Sequence, residues 1–478
     1  MGMLHFHPHN VHRVRSEGRE ILFHVPTTSL FEIDDLDGQV LDLFAEKRQV
    51  AQADVRDRFG DRVNPAEVAQ RIQSFVDLGV VSDGRELPAE RPPVRIEAFP
   101  LTTIVLNVNT GCNLSCSYCY KEDLTAPADG DRMDFATASK AIDLLLQESP
   151  DRPSYNIVFF GGEPLSNMRL IRDVVAHAEP LFAARGARVD FSLTTNATLL
   201  TEPLVDWLDQ HRFGLTVSMD GPQALHDRNR RTVGGQGTYE VVAAKARMLL
   251  QRYRSRPVGA RVTLTRGVTD VVAIWQHLQQ ELGFHEVGFA PVTSGPMEAF
   301  RLSGDELTTV FENMKTLGRR YRREALAGVN IGFSNMHQLM TDLYEGRSKA
   351  LPCGAGVGML AVDKAGALNL CHRFTGSEME TFGNVDAGIE RAPLAGFLEQ
   401  RADRQDKACS TCRIRNICAG GCYHESYAHF SDPMVPTYHY CDLMRDWVDF
   451  GIEVYSEIIG GNPAFFTDHI VPRRAFGK

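Results

Sequence analysis

Ten cysteines carry the chemistry legible in this 478-residue chain, and they are unevenly placed. Cys112, Cys116 and Cys119 form a C-x3-C-x2-C loop, and the other seven begin at residue 353. Cysteine used as a small buried hydrophobe would scatter. Three thiolates on one tight loop can face a single point, which suits an iron–sulfur cluster. A zinc site of three thiolates completed by a histidine is the alternative. The second group reads C-x12-G-x4-C (Cys353, Gly366, Cys371), then C-x2-C-x5-C-x3-C (Cys409, Cys412, Cys418, Cys422), then Cys441. A zinc ribbon uses four ligands and would leave three of these seven over.

The elements that must hold these residues alternate between two periods. Thr103–Val108 alternates apolar residues and reads as a strand running into Thr110, Gly111 and Cys112. Ile157–Phe160 ends in Gly161-Gly162-Glu163-Pro164, Phe191–Leu193 in Thr194-Thr195-Asn196, and Leu215–Val217 in Ser218-Met219-Asp220-Gly221. Further strands are expected at Ala260–Leu264 and Val287–Phe289, with helices between them such as Phe135–Leu146. Strand ends rich in small polar residues are where α/β sheets hold ligands. Two glycines let backbone approach a ligand closely, and a carboxylate beside them can catch an ammonium group. Six strand–helix units predict an α/β fold, a partial (β/α)6 barrel open enough for a large substrate.

On these motifs, residues 100–310 resemble the radical S-adenosylmethionine (SAM) enzymes. The resemblance assigns Cys112, Cys116 and Cys119 to a 4Fe–4S cluster whose open iron chelates SAM. It places Tyr118 near the adenine, and Gly161, Gly162, Glu163 and Pro164 at the SAM amino group. Asn196 and Ser218 match positions contacting the ribose or carboxylate, with a plain strand-end cap as the other reading. Residues 353–441 match the SPASM extension of peptide-modifying members, which holds two auxiliary 4Fe–4S clusters. By that likeness Cys409, Cys412, Cys418 and Cys441 would hold the outer cluster, and Cys353, Cys371 and Cys422 the inner one. Three clusters need twelve ligands and the chain has ten cysteines, so SAM takes one vacancy. The other falls to a residue such as Asp363 or His372, to water, or to a substrate thiolate. The chemistry implied is reductive SAM cleavage and removal of hydrogen from an unactivated carbon, with electrons from a flavodoxin or ferredoxin.

Sulfatase maturases of this class carry a Gln before GGEP and an Asp after the second SPASM cysteine; here those places hold Phe160 and His372. His372 is the candidate catalytic base, or equally a hydrogen-bond partner of the cluster. Residues 1–85 read as a separate winged-helix-like unit. They suggest a hairpin of Ile21–Val25 and Leu30–Ile33, two short helices, and a third capped by Asn64-Pro65 and stopped at Gly79. DNA binding is the usual role of such a unit. Acidic Glu32, Asp34, Asp35 and Asp37 argue against that role, and the unit resembles the peptide-recognition domains attached to peptide maturases, which bind a leader peptide as an added strand. The opening histidines, His5, His7, His9 and His12, are expected at the surface.

Residues 86–99, with Pro88, Pro92 and Pro93, read as a linker. Residues 311–352 read as bridging helices, and 442–478 as a C-terminal helix and tail. Pro8-His9-Asn10-Val11-His12 and the stretch Leu22–Glu32 resemble the quinohemoprotein amine dehydrogenase maturation proteins. That likeness implies thioether bonds from cysteine sulfur to methylene carbons of Asp or Glu in a small partner peptide, the γ subunit of the dehydrogenase. Composition excludes other classes. Lys and Arg total 51 against 61 Asp and Glu, which argues against a nucleic-acid groove. No apolar run approaches the length of a membrane span, and no signal peptide or myristoylation pattern opens the chain. A cytoplasmic protein is expected, its cysteines serving metal or redox chemistry.

Overall fold

The computed structural model describes residues 3–16, 18–83, 94–119, 130–293, 297–404, 408–436 and 439–471. The chain opens with β1 (Leu4–Phe6), β2 (Val11–Ser16), β3 (Arg19–His24) and β4 (Ser29–Ile33). Then come α1 (Asp35–Lys47), β5 (Gln49–Val50), α2 (Gln52–Phe59), α3 (Pro65–Asp77) and β6 (Val81–Ser82). β2, β3 and β4 form an antiparallel sheet in that order. Asp34 and Asp37 close a capping box on α1, and Asn64 caps α3 ahead of Pro65.

Alternation along β3 explains why this unit is not separate, as the sequence had suggested. Leu22 points one way into a small core with Val40, Phe44, Ile72 and Phe75. Ile21, Phe23 and Val25 point the other way, into the main core of the molecule. Arg415 Nη1 donates to the His9 carbonyl and Asn416 Nδ2 to that of Val25, at 2.7 and 3.0 Å. Nor are all four opening histidines simple surface residues: His12 Nε2 lies 2.9 Å from the Asp449 carboxylate. The linker prolines lie outside the described residues, but Phe99 is buried and the Ile96 amide donates to Glu399.

The barrel strands are β7 (Thr103–Asn109), β8 (Ser154–Gly161), β9 (Arg188–Thr195), β10 (Gly214–Ser218), β11 (Val258–Leu264) and β12 (Glu286–Pro291). They pair in parallel and in chain order, with helices on the outside: α4 (Phe135–Glu148), α5 (Met168–Ala183), α6 (Glu202–Gln210), α7 (Gln223–Asn229), α8 (Tyr239–Arg252) and α9 (Val271–Trp275). On β8, Tyr155, Ile157 and Phe159 are buried beneath the helices, so Asn156, Val158 and Phe160 line the inner face.

After α10 (Met297–Phe300), α11 runs Gly304–Leu326, so the division placed after 310 falls inside a helix; α12 (Ser334–Tyr344) follows. The sheet then continues where no strand had been expected. β13 (Met359–Val362) pairs in parallel with β7, and β14 (Leu368–Asn369) turns back on it, giving eight strands. The cysteine-rich region is thus attached to the barrel through its sheet, and Cys371 lies two residues beyond the end of β14. Among the described residues no helix is long and apolar enough to cross a membrane.

Candidate active site

The Cys112 loop is held from two sides. On one side, the Gly162 amide donates to the Asn109 carbonyl and the Glu163 amide to that of Gly111, both at 3.0 Å. Gly161 has φ +150°, and a Cβ on Gly162 would stand 2.0 Å from the Gly111 oxygen. The two glycines are therefore required by the approach of β8 to the cysteine loop itself. On the other side, Ser117 Oγ donates to Asn229 Oδ1 at 2.8 Å, and the Ser115 amide reaches the Arg231 carbonyl.

Glu163 is almost fully buried. Its carboxylate accepts from the amides of Leu165 and Asn196 and from Thr195 Oγ1, at 3.1, 2.7 and 2.7 Å. Burial nonetheless pushes its pKa up to about 7. Three acceptor positions are taken by the chain, so the group pins β8 to β9 and keeps a share of Oε2 for a donor from outside. Pro164, buried, starts the short turn Pro164–Asn167. Asn196 Nδ2 points at Cys112 Sγ (3.7 Å) and Asn113 Oδ1 (2.9 Å). The Leu114 amide also donates to Cys112 Sγ, at 3.4 Å.

A buried lock below the loop had not been read from the sequence, though its residues lie within the motifs. Tyr118 donates its hydroxyl hydrogen to Asp220 Oδ2 at 2.6 Å, and Arg230 Nε donates to the same oxygen at 3.0 Å. The Arg230 guanidinium lies over the Tyr118 ring at 5.4 Å. Burial raises the Tyr118 pKa well above its usual value, so the phenol stays neutral and a donor. His226, buried, accepts from the Asp220 amide and contacts Thr238 Oγ1. Ser218 is half-buried on the inner face at the end of β10, beside Arg261 of β11 in register.

The ten cysteines fall into three neighbourhoods. Cys112, Cys116 and Cys119 act on one another electrostatically; so do Cys353, Cys371 and Cys422; so do Cys409, Cys412, Cys418 and Cys441. Burial pushes the Cys112, Cys371 and Cys418 thiols up to about 12, and Cys116 to about 11. Unaided, these are thiols at neutral pH; bound iron would keep them as thiolates. Among the described residues, no three His, Cys, Asp or Glu side chains close on one point as a single metal ion would need. Sulfurs grouped by threes and fours, with N–H donors aimed at Cys112 Sγ, fit a cluster's wider ligand set. Asp363 Oδ1 accepts from the Ala365 and Ala367 amides, so that oxygen serves the β13–β14 turn. The His372 ring lies against the ring of Phe160, centroids 4.3 Å apart.

Residues 106–274 match the family model of the radical SAM superfamily. The serine-type anaerobic sulfatase-maturating enzyme of Klebsiella aerogenes is 25% identical over 390 residues, 79% of this chain and 87% of that enzyme. The structure of native anSMEcpe with bound AdoMet and Cp18Cys peptide superposes with a TM-score of 0.63 at 19% identity, covering 76% of this chain and 99% of that one. Streptococcus suis SuiB bound to precursor peptide SuiA gives 0.51 at 14% identity, covering 92% and 99%. The barrel is a radical SAM domain. Along 79% of its length the chain is similar to a sulfatase-maturating enzyme, and SAM and 4Fe–4S clusters, auxiliary clusters included, are the cofactors of that group.

Proposed function

We propose that this enzyme joins cysteine sulfur to methylene carbons of Asp or Glu within a small partner peptide, the γ subunit of quinohemoprotein amine dehydrogenase. The contact between Phe160 and His372 carries this reading. Both positions depart from the Gln and Asp of the sulfatase maturases, and the two replacements touch. An aromatic face and an imidazole replace an amide and a carboxylate where the substrate enters. When bound, SAM and the cluster on Cys112, Cys116 and Cys119 supply one-electron chemistry that removes hydrogen from an unactivated carbon.

The chain's own residues do the rest. Tyr118, Asp220 and Arg230 fix the floor of the cysteine loop; Glu163 and Asn196 fix its wall. His372 takes the proton of the substrate thiol, whose ordinary pKa of about 8.5 leaves it mostly protonated at neutrality. The one electron left when sulfur joins the carbon radical would pass to an oxidised auxiliary cluster held by Cys353, Cys371 and Cys422. Among the described residues no strand pairs with the outer side of β4, where a leader peptide can join as a strand, and Phe31 of β4 is exposed. The acidic run Glu32 to Asp37 favours a peptide over DNA at that edge.

The test is incubation of the reduced, cluster-loaded enzyme with SAM and the γ-subunit polypeptide. The expected product lacks two hydrogens per thioether, and fragmentation places each bond on a side-chain methylene of Asp or Glu. Bonds at an α-carbon, or an aldehyde formed from Ser or Cys, would replace this reading with another maturase activity.

A further inference from the structure

Arg261 stands on the inner face of β11, in register with Ser218 of β10 and Gly288 of β12. Its strand neighbours Ala260 and Val262 are buried on the helix side, so the pleat sends its guanidinium inward. Its Nη1 passes beside Gly288, 3.6 Å from where a Cβ on that glycine would stand, an ordinary contact distance. The side chain is solvent-accessible, as expected in an open lumen. Among the described residues it makes no hydrogen bond and no ion pair. Arg373 acts on it with a like charge.

Arg373 faces the same space from the SPASM side. It is anchored to Thr293 Oγ1 at 2.5 Å and reaches His424 Nδ1 at 3.5 Å. Glu425 feels its charge, while Arg261 has no carboxylate acting on it. Two like charges facing one space repel, and Arg261 has no carboxylate of the chain acting on it to offset its share. A lumen that keeps both is built for an anion that arrives from outside.

We propose that Arg261, backed by Arg373, is a carboxylate-binding subsite that receives the acidic side chain of the substrate peptide whose methylene carbon is attacked. The subsite rests on the function proposed above. A guanidinium fork pairs with a carboxylate in two parallel hydrogen bonds, and a carboxylate so held leaves its adjoining methylene little freedom. His372 immediately precedes Arg373, so one turn presents both the base for the thiol and the clamp for the acid. The other carboxylate that enters this lumen belongs to SAM. Ser218, which matches a position contacting the SAM ribose or carboxylate, stands beside Arg261 in register, so KM for SAM is measured alongside peptide binding.

The test compares wild type, Arg261→Gln and Arg261→Lys as cluster-loaded enzymes of matched iron content. Each is titrated with the γ-subunit polypeptide and with a version whose Asp and Glu are replaced by Asn and Gln. Arg261→Gln is expected to weaken binding of the acidic peptide at least tenfold more than that of the amide version. Arg261→Lys is expected to recover part of the loss, and the change in KM for SAM to be the smaller effect. Equal weakening for both peptides, or no weakening, overturns the subsite. A change confined to KM for SAM assigns the arginine to that carboxylate instead. Should wild type prefer the acidic peptide yet form no thioether, the function reading fails and the subsite stands. If thioethers form and Arg261→Gln binds and cross-links as wild type does, only the subsite falls.

Discussion

The rings of Phe160 and His372 lie 4.3 Å apart, centroid to centroid, inclined at 44°. One belongs to the inner face of β8, the other to the turn after β14, and the sheet joins them by adding β13 and β14 beside β7. A residue that differs from the sulfatase maturases at one place therefore rests on one that differs at the other. Neither can be exchanged without changing the surroundings of its partner.

His372→Ala should lower thioether formation about a hundredfold, the lower end of what a general base contributes. Formation of 5′-deoxyadenosine should fall far less. Phe160→Gln combined with His372→Asp restores the sulfatase-type pair and should not rescue the thioether product. Mass spectrometry of the peptide, read as two hydrogens per bond, checks both. Cross-linking at the wild-type rate in His372→Ala would remove the histidine from the mechanism.

Gly162→Ala tests the support of the cysteine loop. The added methyl would lie 2.0 Å from the Gly111 oxygen and 2.4 Å from its carbonyl carbon, both backbone atoms that no rotamer can move. The loop should be displaced while the SPASM region, held by other elements, keeps its clusters. Iron should fall from about twelve to about eight per chain if three cubane clusters are filled in the parent. SAM cleavage should be lost. Iron analysis and 5′-deoxyadenosine together distinguish this from general unfolding, in which all iron goes.

Most of the barrel was legible because its strands bury one face under helices and alternate, as Tyr155, Ile157 and Phe159 do. The cysteine motifs were legible because their spacing is local. Two features were not. β13 is four residues long, lies within a glycine-rich stretch, and is held by the two-residue β14 and by β7, far away in sequence. The Tyr118–Asp220–Arg230 lock joins an aromatic residue read as an adenine neighbour to two residues about a hundred positions further along the chain. Only the fold reveals that they are buried together. Residues 1–85 misled for a related reason: β3 has two apolar faces, and a sequence does not say which neighbour each one meets.

Asp220→Asn should be costly because Arg230 is buried and its guanidinium pairs with that carboxylate at 3.0 Å. Removing one partner of a buried pair leaves the other charge uncompensated, a loss of about 3–5 kcal/mol. Tyr118→Phe removes only a hydrogen bond to a charged group and should cost about 1.5–3 kcal/mol. Denaturant titration of the two variants should rank them in that order. The reverse order would mean that Arg230 finds another counter-charge when Asp220 is gone.

Acid should destabilise the fold through His337 on α12. The ring is buried and its Nδ1 accepts from the Tyr321 hydroxyl at 2.8 Å. Burial, with some repulsion from His469, lowers its pKa to about 4, against an ordinary value of 6.5. The unfolded chain therefore binds a proton in this range that the folded chain does not. The stability that His337 contributes is whole above pH 6.5 and is lost as pH falls toward 4. Two and a half pH units at about 1.4 kcal/mol each set an upper bound of about 3.5 kcal/mol. His337→Asn keeps a polar group near Tyr321 but does not titrate, so its stability should fall less than that of the parent between pH 7 and pH 5. Parallel denaturation curves at the two pH values measure that difference, and equal losses in the two proteins would place the acid sensitivity elsewhere.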